Sequence, residues 1–167
     1  MARSSFSGPV ASAGGFVGAV TGNVTGNVTG NVVGSVTGAV TNSTITAATA
    51  APTAAQSGTT FFLSKADGIA VTLPAPAAGL RYTFIVKTAP TSGTTSIVTA
   101  SSANIIKGQQ YVAADAAGDT GTADDTITFV ANQAVAGDRV ELISDGTSWF
   151  AYAFSAVAAG ITFTQAS

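Results

Sequence analysis

Apolar residues in 58–167 recur in short alternating or continuous runs that are bounded by turn residues, a pattern typical of β-strands. Pro74 and Pro76 end the second run, because proline cannot donate a hydrogen bond to a strand ladder. Many short strands separated by turns predict a β-sandwich of the jelly-roll type. The predicted strands are 59–63, 69–73, 82–86, 96–99, 104–106, 126–130, 139–143, 148–152 and 161–164. Asp145-Gly146 lies between two of these runs and predicts a hairpin with a type I′ turn.

A different pattern occupies residues 16–43, here called the quartet repeat, in which most quartets read Val-Thr-Gly-X. A period of four matches neither the three of collagen nor the seven of a coiled coil. In an extended chain, Val and Gly would share one face. Alternatively, each Gly marks a bend with positive φ, and Asn42 in a Gly position favours this geometry. The quartets begin at Phe16, Val20, Val24, Val28, Val32, Val36 and Val40.

The valines of the quartet repeat have no partner face within their own segment, as in repeats that need neighbours to bury a core. No charged residue lies between Arg3 and Lys65, so a lone extended segment would be prone to aggregate. We therefore predict that the valines pack between copies of the chain, and a flexible Gly-rich linker is the alternative. The predicted stem interface comprises Val20, Val24, Val28, Val32, Val36 and Val40.

The change in composition near residues 50–58 predicts two regions in an all-β protein. Residues 1–57 are expected to form an extended N-terminal arm and an intertwined stem, and residues 58–167 a β-sandwich head. The chain of 167 residues is long enough for one ordinary domain with a tail.

Composition excludes several function classes. Only 8% of residues are charged and the net charge is -2, so no basic field attracts nucleic acid. The absence of Cys and His excludes thiolate zinc sites, cysteine nucleophiles and a Ser-His-Asp triad. Glycines interrupt the N-terminal apolar residues, and no apolar run reaches the ~18 residues of a membrane span, so neither a signal peptide nor a membrane partner is expected. We expect a protein that is not an enzyme and needs no metal or cofactor.

Acidic and aromatic clusters are the candidate sites in the sequence. The aspartates in 113–125 lack the spacing of an EF-hand and are expected in a solvated loop: Asp115, Asp119, Asp124 and Asp125. Asp138 and Glu141 would point to opposite faces of a strand, which argues against a shared acid-base site. Alternation places Phe150, Tyr152 and Phe154 on one face, as a core or interface stripe. Trp149 faces the other way and is the predicted exposed aromatic for recognition.

Four segments carry a resemblance to a known class of proteins: residues 1–10, the quartet repeat, 71–84 and 137–149. They resemble virion proteins of tailed phages, in particular decoration (cement) or head-fibre proteins of phages that infect marine bacteria. Residues 71–84 are similar to the opening of β-sandwich modules in such proteins. The resemblance implies a homotrimer on the virion surface with an N-terminal anchor and a β-sandwich head.

Two functions follow from this resemblance. The first is decoration and reinforcement of the capsid exterior, with the major capsid protein as partner. The alternative is a tail-fibre or head-fibre tip that recognises a glycan or receptor on the host surface. Phe6 and Phe16 are the largest apolar side chains of the arm and Arg3 is its only charge, so these three are the predicted capsid anchor.

Overall fold

The computed structural model describes residues 41–100, 103–113 and 120–165, and this part of the chain is all-β. Two short 3-10 helices, Ala54–Gln56 and Ala158–Gly160, accompany the strands. None of the described helices is long and apolar enough to cross a membrane. The strands are β1 (Asn42–Ile45), β2 (Thr49–Ala50), β3 (Thr59–Ser64), β4 (Ala70–Leu73), β5 (Arg81–Thr88), β6 (Thr95–Thr99), β7 (Ile106–Val112), β8 (Thr120–Asp124), β9 (Thr126–Phe129), β10 (Arg139–Ser144), β11 (Trp149–Ser155) and β12 (Ile161–Thr164).

The strands form two mixed sheets, and we call this two-sheet unit the sandwich. One sheet has the order β1-β3-β5-β10-β11-β7-β8, and the other has the order β12-β9-β6-β4-β2. The first six strands alternate between the sheets: β1, β3 and β5 pair in parallel in one sheet, and β2, β4 and β6 pair in parallel in the other. A parallel pair needs a crossover, and here the strand in the opposite sheet provides it. The predicted all-β sandwich is thus confirmed, and its parallel pairs distinguish it from a jelly roll, whose strands pair antiparallel.

The remaining strands close the two sheets. β10 and β11 form an antiparallel hairpin, with β10 paired to β5 and β11 paired in parallel to β7. In the second sheet, β9 pairs antiparallel with both β6 and β12. The hairpin therefore joins the coiled strands of the first half to β7 and β8.

The core lies between the sheets because apolar side chains alternate along the strands. In β5, Tyr82, Phe84 and Val86 point inward and are at most 2% exposed. The ring of Phe84 stacks on Phe61 of β3 with 5.3 Å between centroids. Burial of one such side chain contributes roughly 1.5–3 kcal/mol relative to exposure, so the inward faces of these strands fix their register.

The sandwich begins earlier than predicted. β1 pairs with β3 from Asn42 opposite Thr60 to Ile45 opposite Leu63, and Ile45 is buried in the core. β2 pairs with β4, and the backbone N–H of Thr53 donates to the side chain of Gln56. Residues 42–57, predicted as the end of the stem, thus belong to the sandwich. Asn42 is an extended strand residue and not a bend.

Candidate functional site

Trp149 is buried, and its prediction as an exposed recognition aromatic is wrong. The indole is 0% exposed, and its ring centroid lies 5.7 Å from that of Tyr82 in the core. Ala151 and Ala153 share its face of β11 and are also buried. The covered face of β11 is therefore the face that carries Trp149 and the two small alanines, because the second sheet packs against it.

The aromatic residues at alternate positions of β11 point to the outer face of the seven-stranded sheet. Phe150 is 38% exposed and Tyr152 is 53% exposed, while Phe154 is half-buried. The parallel register with β7 places a partner beside each of them on the same face. These partners are Lys107 beside Phe150, Gln109 beside Tyr152, and Tyr111 beside Phe154.

An open groove of about 560 Å³, here called the aromatic groove, lies on this outer face across β11, β7 and β8. One wall contains Lys107 and Phe150, and the other contains Gln109 and Tyr152. Its remaining lining residues are Gly108, Ala151, Gly121, Thr120 and Thr122. Because the paired Gly108, Ala151 and Gly121 present no side chain to the outer face, their backbone forms the floor between the two walls.

Gly108 is required by close packing of the strands. A Cβ atom built on Gly108 would overlap the carbonyl oxygen of Ala151, which cannot move without breaking the ladder. At Gly121, a Cβ would come within 2.8 Å of the ring of Phe163. The glycines therefore face inward into space that is already filled, and the shape of the groove floor follows from this packing.

Two cations contact aromatic rings on the outer face. The Nζ atom of Lys107 lies 5.9 Å from the ring centroid of Phe150, and the Cζ atom of Arg139 lies 4.1 Å from that of Phe154. Arg139 also pairs with Glu141, with 3.3 Å between Nε and Oε1. Glu141 stands opposite Tyr152 in the ladder, so the carboxylate beside that wall of the groove is already engaged by a cation.

A second groove, of about 430 Å³, lies on the outer side of β1, β3 and β5, and its apolar lining includes Phe62 and Ile85. Its rim carries Asn42 and Thr44 of β1 and the cation Lys87. In register, Thr44, Phe62 and Ile85 follow one another across the sheet. We call it the edge groove, since β1 is the edge strand of the sheet.

The acidic residues are held in separate places. Asp138 is buried, where its Oδ1 accepts a hydrogen bond from the N–H of Ala156 at 2.9 Å and its Oδ2 accepts one from Val135 at 3.0 Å. Asp138 thus ties the approach to β10 to the end of β11, whereas Glu141 is exposed. The described residues contain no group of three or more acidic, His or Cys side chains that fits a metal ion. Asp115 and Asp119 lie outside the described residues.

The predicted hairpin is present, but its turn is not type I′. Ser144 pairs with Trp149, which leaves a four-residue loop from Asp145 to Ser148. Type I′ needs positive φ at two central residues, and Asn132 is the only described non-glycine residue with positive φ. Instead, the Oδ1 atom of Asp145 accepts bonds from the N–H of Ser148 at 2.7 Å and of Thr147 at 2.8 Å. These bonds hold the pKa of Asp145 below its usual range, and Lys107 adds a small effect in the same direction.

The predicted anchor (Arg3, Phe6 and Phe16) and the stem valines from Val20 to Val40 lie outside the described residues. Comparison with known proteins identifies no relative: no family model, no curated protein and no solved structure matches this chain. The aromatic groove and the edge groove are therefore interpreted from their own geometry and chemistry.

Proposed function

We propose that the chain is a homotrimeric structural protein of a virion surface that decorates and reinforces the capsid exterior. The observation that carries this proposal is the direct passage of the quartet repeat into the sandwich. The last quartet begins at Val40, and its final two residues, Asn42 and Ser43, are already in β1. The N–H of Thr60 donates to the carbonyl of Thr41 at 3.0 Å, which extends the ladder by one residue.

This connection suits a load-bearing attachment. β1 runs parallel to β3, so a force directed along β1 would load the hydrogen bonds of this ladder in shear. Thr49 and Ala50, which composition assigns to the end of the stem, form β2 and pair with β4 in the sandwich. A structural protein that braces neighbouring capsomers needs a firmly paired attachment strand of this kind in its head.

Low charge and the half-buried apolar side chains of the edge groove support self-association. The edge groove presents Phe62 and Ile85 beside the strand through which the quartet repeat enters. Only 8% of residues are charged, so like-charge repulsion between copies is small. Association of three chains also links three anchors, and linked weak contacts multiply in strength. The major capsid protein is the proposed partner.

Co-sedimentation with undecorated capsids tests this function. The full chain is expected to sediment with capsids, and a variant that lacks residues 2–16 is expected to remain in solution because it lacks Phe6 and Phe16. Binding should depend weakly on salt, since Arg3 is the only charge in the anchor. Equal melting temperatures of the two proteins are the control for an intact sandwich.

The outcomes separate the parts of the proposal. Binding by the shortened protein would place the anchor in the sandwich, and no binding by either protein would contradict decoration. A mass-spectrometric copy count on purified particles distinguishes decoration from the fibre-tip alternative. A decorating protein is expected in numbers comparable to the major capsid protein, whereas a fibre tip is present in far fewer copies.

A further inference from the structure

We propose that the aromatic groove binds an oligosaccharide of pyranose units and prefers acidic sugars to neutral ones. The site consists of outward side chains of β11 and β7 together with the Thr residues of β8. This proposal goes beyond capsid decoration and does not depend on where the protein sits in a virion.

The groove walls match the two kinds of surface that a pyranose ring presents. The C–H faces of the sugar are apolar and weakly positive, so they stack on the negative faces of the rings of Phe150 and Tyr152. The hydroxyl groups at the ring edge need donors and acceptors, and exposed Gln109 supplies both. The phenolic hydroxyl of Tyr152 provides a further polar contact at the same wall.

The size and rigidity of the groove also suit a short sugar chain. Its volume of about 560 Å³ lies within the range of sites for small organic ligands. The floor is backbone of three hydrogen-bonded strands, and both walls stand on those strands rather than on loops. A site on such a scaffold loses little conformational entropy when it binds a ligand.

The charges decide between ligand classes. Among the described residues that line the groove, Lys107 is the only charged one, which is too little for a nucleic-acid backbone in a chain of net charge -2. Glu141, beside Tyr152, is paired with Arg139, so it repels a carboxylate ligand less. Asp145 attracts Lys107 electrostatically, but hydrogen bonds from its own loop already engage the carboxylate of Asp145. Lys107 is thus placed to attract a uronate.

Titration calorimetry with the full chain and defined hexasaccharides tests the proposal. The probes are a galacturonate hexamer, cellohexaose, maltohexaose and chitohexaose. At least one should bind, with the galacturonate hexamer several-fold tighter than the neutral sugars at low salt. Tyr152→Ala and Phe150→Ala should each weaken binding about tenfold, equivalent to about 1.4 kcal/mol, because each removes one of the two rings on which the sugar stacks. Lys107→Gln should remove the preference for the acidic sugar.

Tyr111→Ala is the matched control. Tyr111 is an aromatic residue on the same face of β7 and is 68% exposed, but it does not line the groove. This variant should bind as the unchanged chain does, and equal melting temperatures should show that all the variants are folded. No binding of any hexasaccharide at millimolar concentration would overturn the proposal. Equal weakening by Tyr111→Ala and Tyr152→Ala would overturn it as well.

The outcome of the sugar-binding experiment is independent of capsid decoration. A chain that sediments with capsids yet binds no sugar contradicts the groove proposal alone. A chain that binds sugar through Tyr152 yet fails to sediment with capsids contradicts decoration alone.

Discussion

The phenolic hydroxyl of Tyr82 in β5 donates a hydrogen bond of 2.9 Å to the backbone carbonyl of Thr53, far from it in sequence. Tyr82 is 1% exposed and its ring packs between Phe84 and Trp149. The bond fastens the segment before β3 to the core, although composition assigns that segment to the stem. Residues 42–57 are consequently part of what keeps the sandwich folded.

Removal of this hydrogen bond should destabilise the sandwich modestly. Tyr82→Phe keeps the ring contacts and loses the bond, so we expect the free energy of unfolding to fall by about 1 kcal/mol in urea at neutral pH. Tyr111→Phe, which removes the hydroxyl of an exposed tyrosine, is the control and should change little. Equal losses of unfolding free energy in both variants would show that the bond to Thr53 does not stabilise the sandwich.

The same residue should make stability depend on alkaline pH. Burial raises the pKa of Tyr82 above its usual value of 10.0. The folded state therefore holds this proton more tightly than the unfolded state, and the stabilisation is present below pH 10 and is lost as the pH rises further. Tyr82→Phe should show a flatter decline than the unchanged chain in urea titrations above pH 10. Parallel curves for the two proteins would contradict this account.

The position of the sandwich boundary can be tested by truncation. A protein that comprises Gly38–Ser167 retains β1 and β2, whereas one that begins at residue 58 loses both. Burial of Ile45 alone is worth roughly 1.5–3 kcal/mol, and β3 would become an unprotected edge strand. The shorter protein should unfold at clearly lower urea concentration and aggregate more readily. Equal urea midpoints for the two proteins would support the boundary at residue 57 that composition predicts.

The hairpin loop should lose stability in acid. Bonds from Ser148 and Thr147 lower the pKa of Asp145, so the folded state favours the charged carboxylate. Its contribution is present above the unfolded pKa near 3.9 and is lost as pH falls through the lower folded value. Asp145→Ala should lower the melting temperature at pH 6 by more than at pH 2. Because the carboxylate is solvent-exposed, the change in melting temperature should be small. The same change at pH 6 and at pH 2 would contradict a stabilising role of the charged carboxylate.

The quartet repeat gives a test of the homotrimer. If Val24, Val28 and Val32 pack between chains, their triple change to Ser should cost a trimer on the order of 10 kcal/mol. Light scattering should then show a smaller mass than for the full chain. Thr21, Thr25 and Thr29 lie in the Thr positions of neighbouring quartets, and their change to Ser serves as the control. A monomeric full chain at micromolar concentration would exclude the trimer, and an unchanged mass of the Val variant would favour the linker.

Strands with one apolar face were predictable from the sequence. The runs at 126–130 and 139–143 correspond to β9 and β10 within one residue. They were predictable because successive side chains of a strand point to opposite faces, and only one face packs into the core. β7 and β8 were largely missed: the prediction at 104–106 only touches β7, and none covers β8. Lys107-Gly-Gln-Gln and Thr120-Gly-Thr-Ala carry little apolar pattern, and these segments are strands because β11 pairs with β7 and β7 with β8.

The candidate site was only partly predictable for the same reason. Alternation correctly groups Phe150 with Tyr152 and separates both from Trp149. It does not say which group is covered, because both faces of β11 are apolar. Each groove wall also contains a residue of β7, Lys107 or Gln109, and the distance of β7 from β11 in sequence leaves no local signal of their parallel pairing. Pairing partners depend on the whole topology, which a pattern within one strand does not encode.

The position of the β10–β11 hairpin has a consequence for synthesis of the chain. In the seven-stranded sheet, β10 and β11 stand between β5 on one side and β7 on the other. While the ribosome has made only the residues before Arg139, the strands β1-β3-β5 and the pair β7-β8 have no shared ladder, and β5 presents an open edge. The sheet becomes continuous only after Ser155 has emerged. A nascent chain that stalls before Arg139 leaves β5 and β7 without their partners in the complete sheet and is exposed to edge-to-edge association with its neighbours on a polysome.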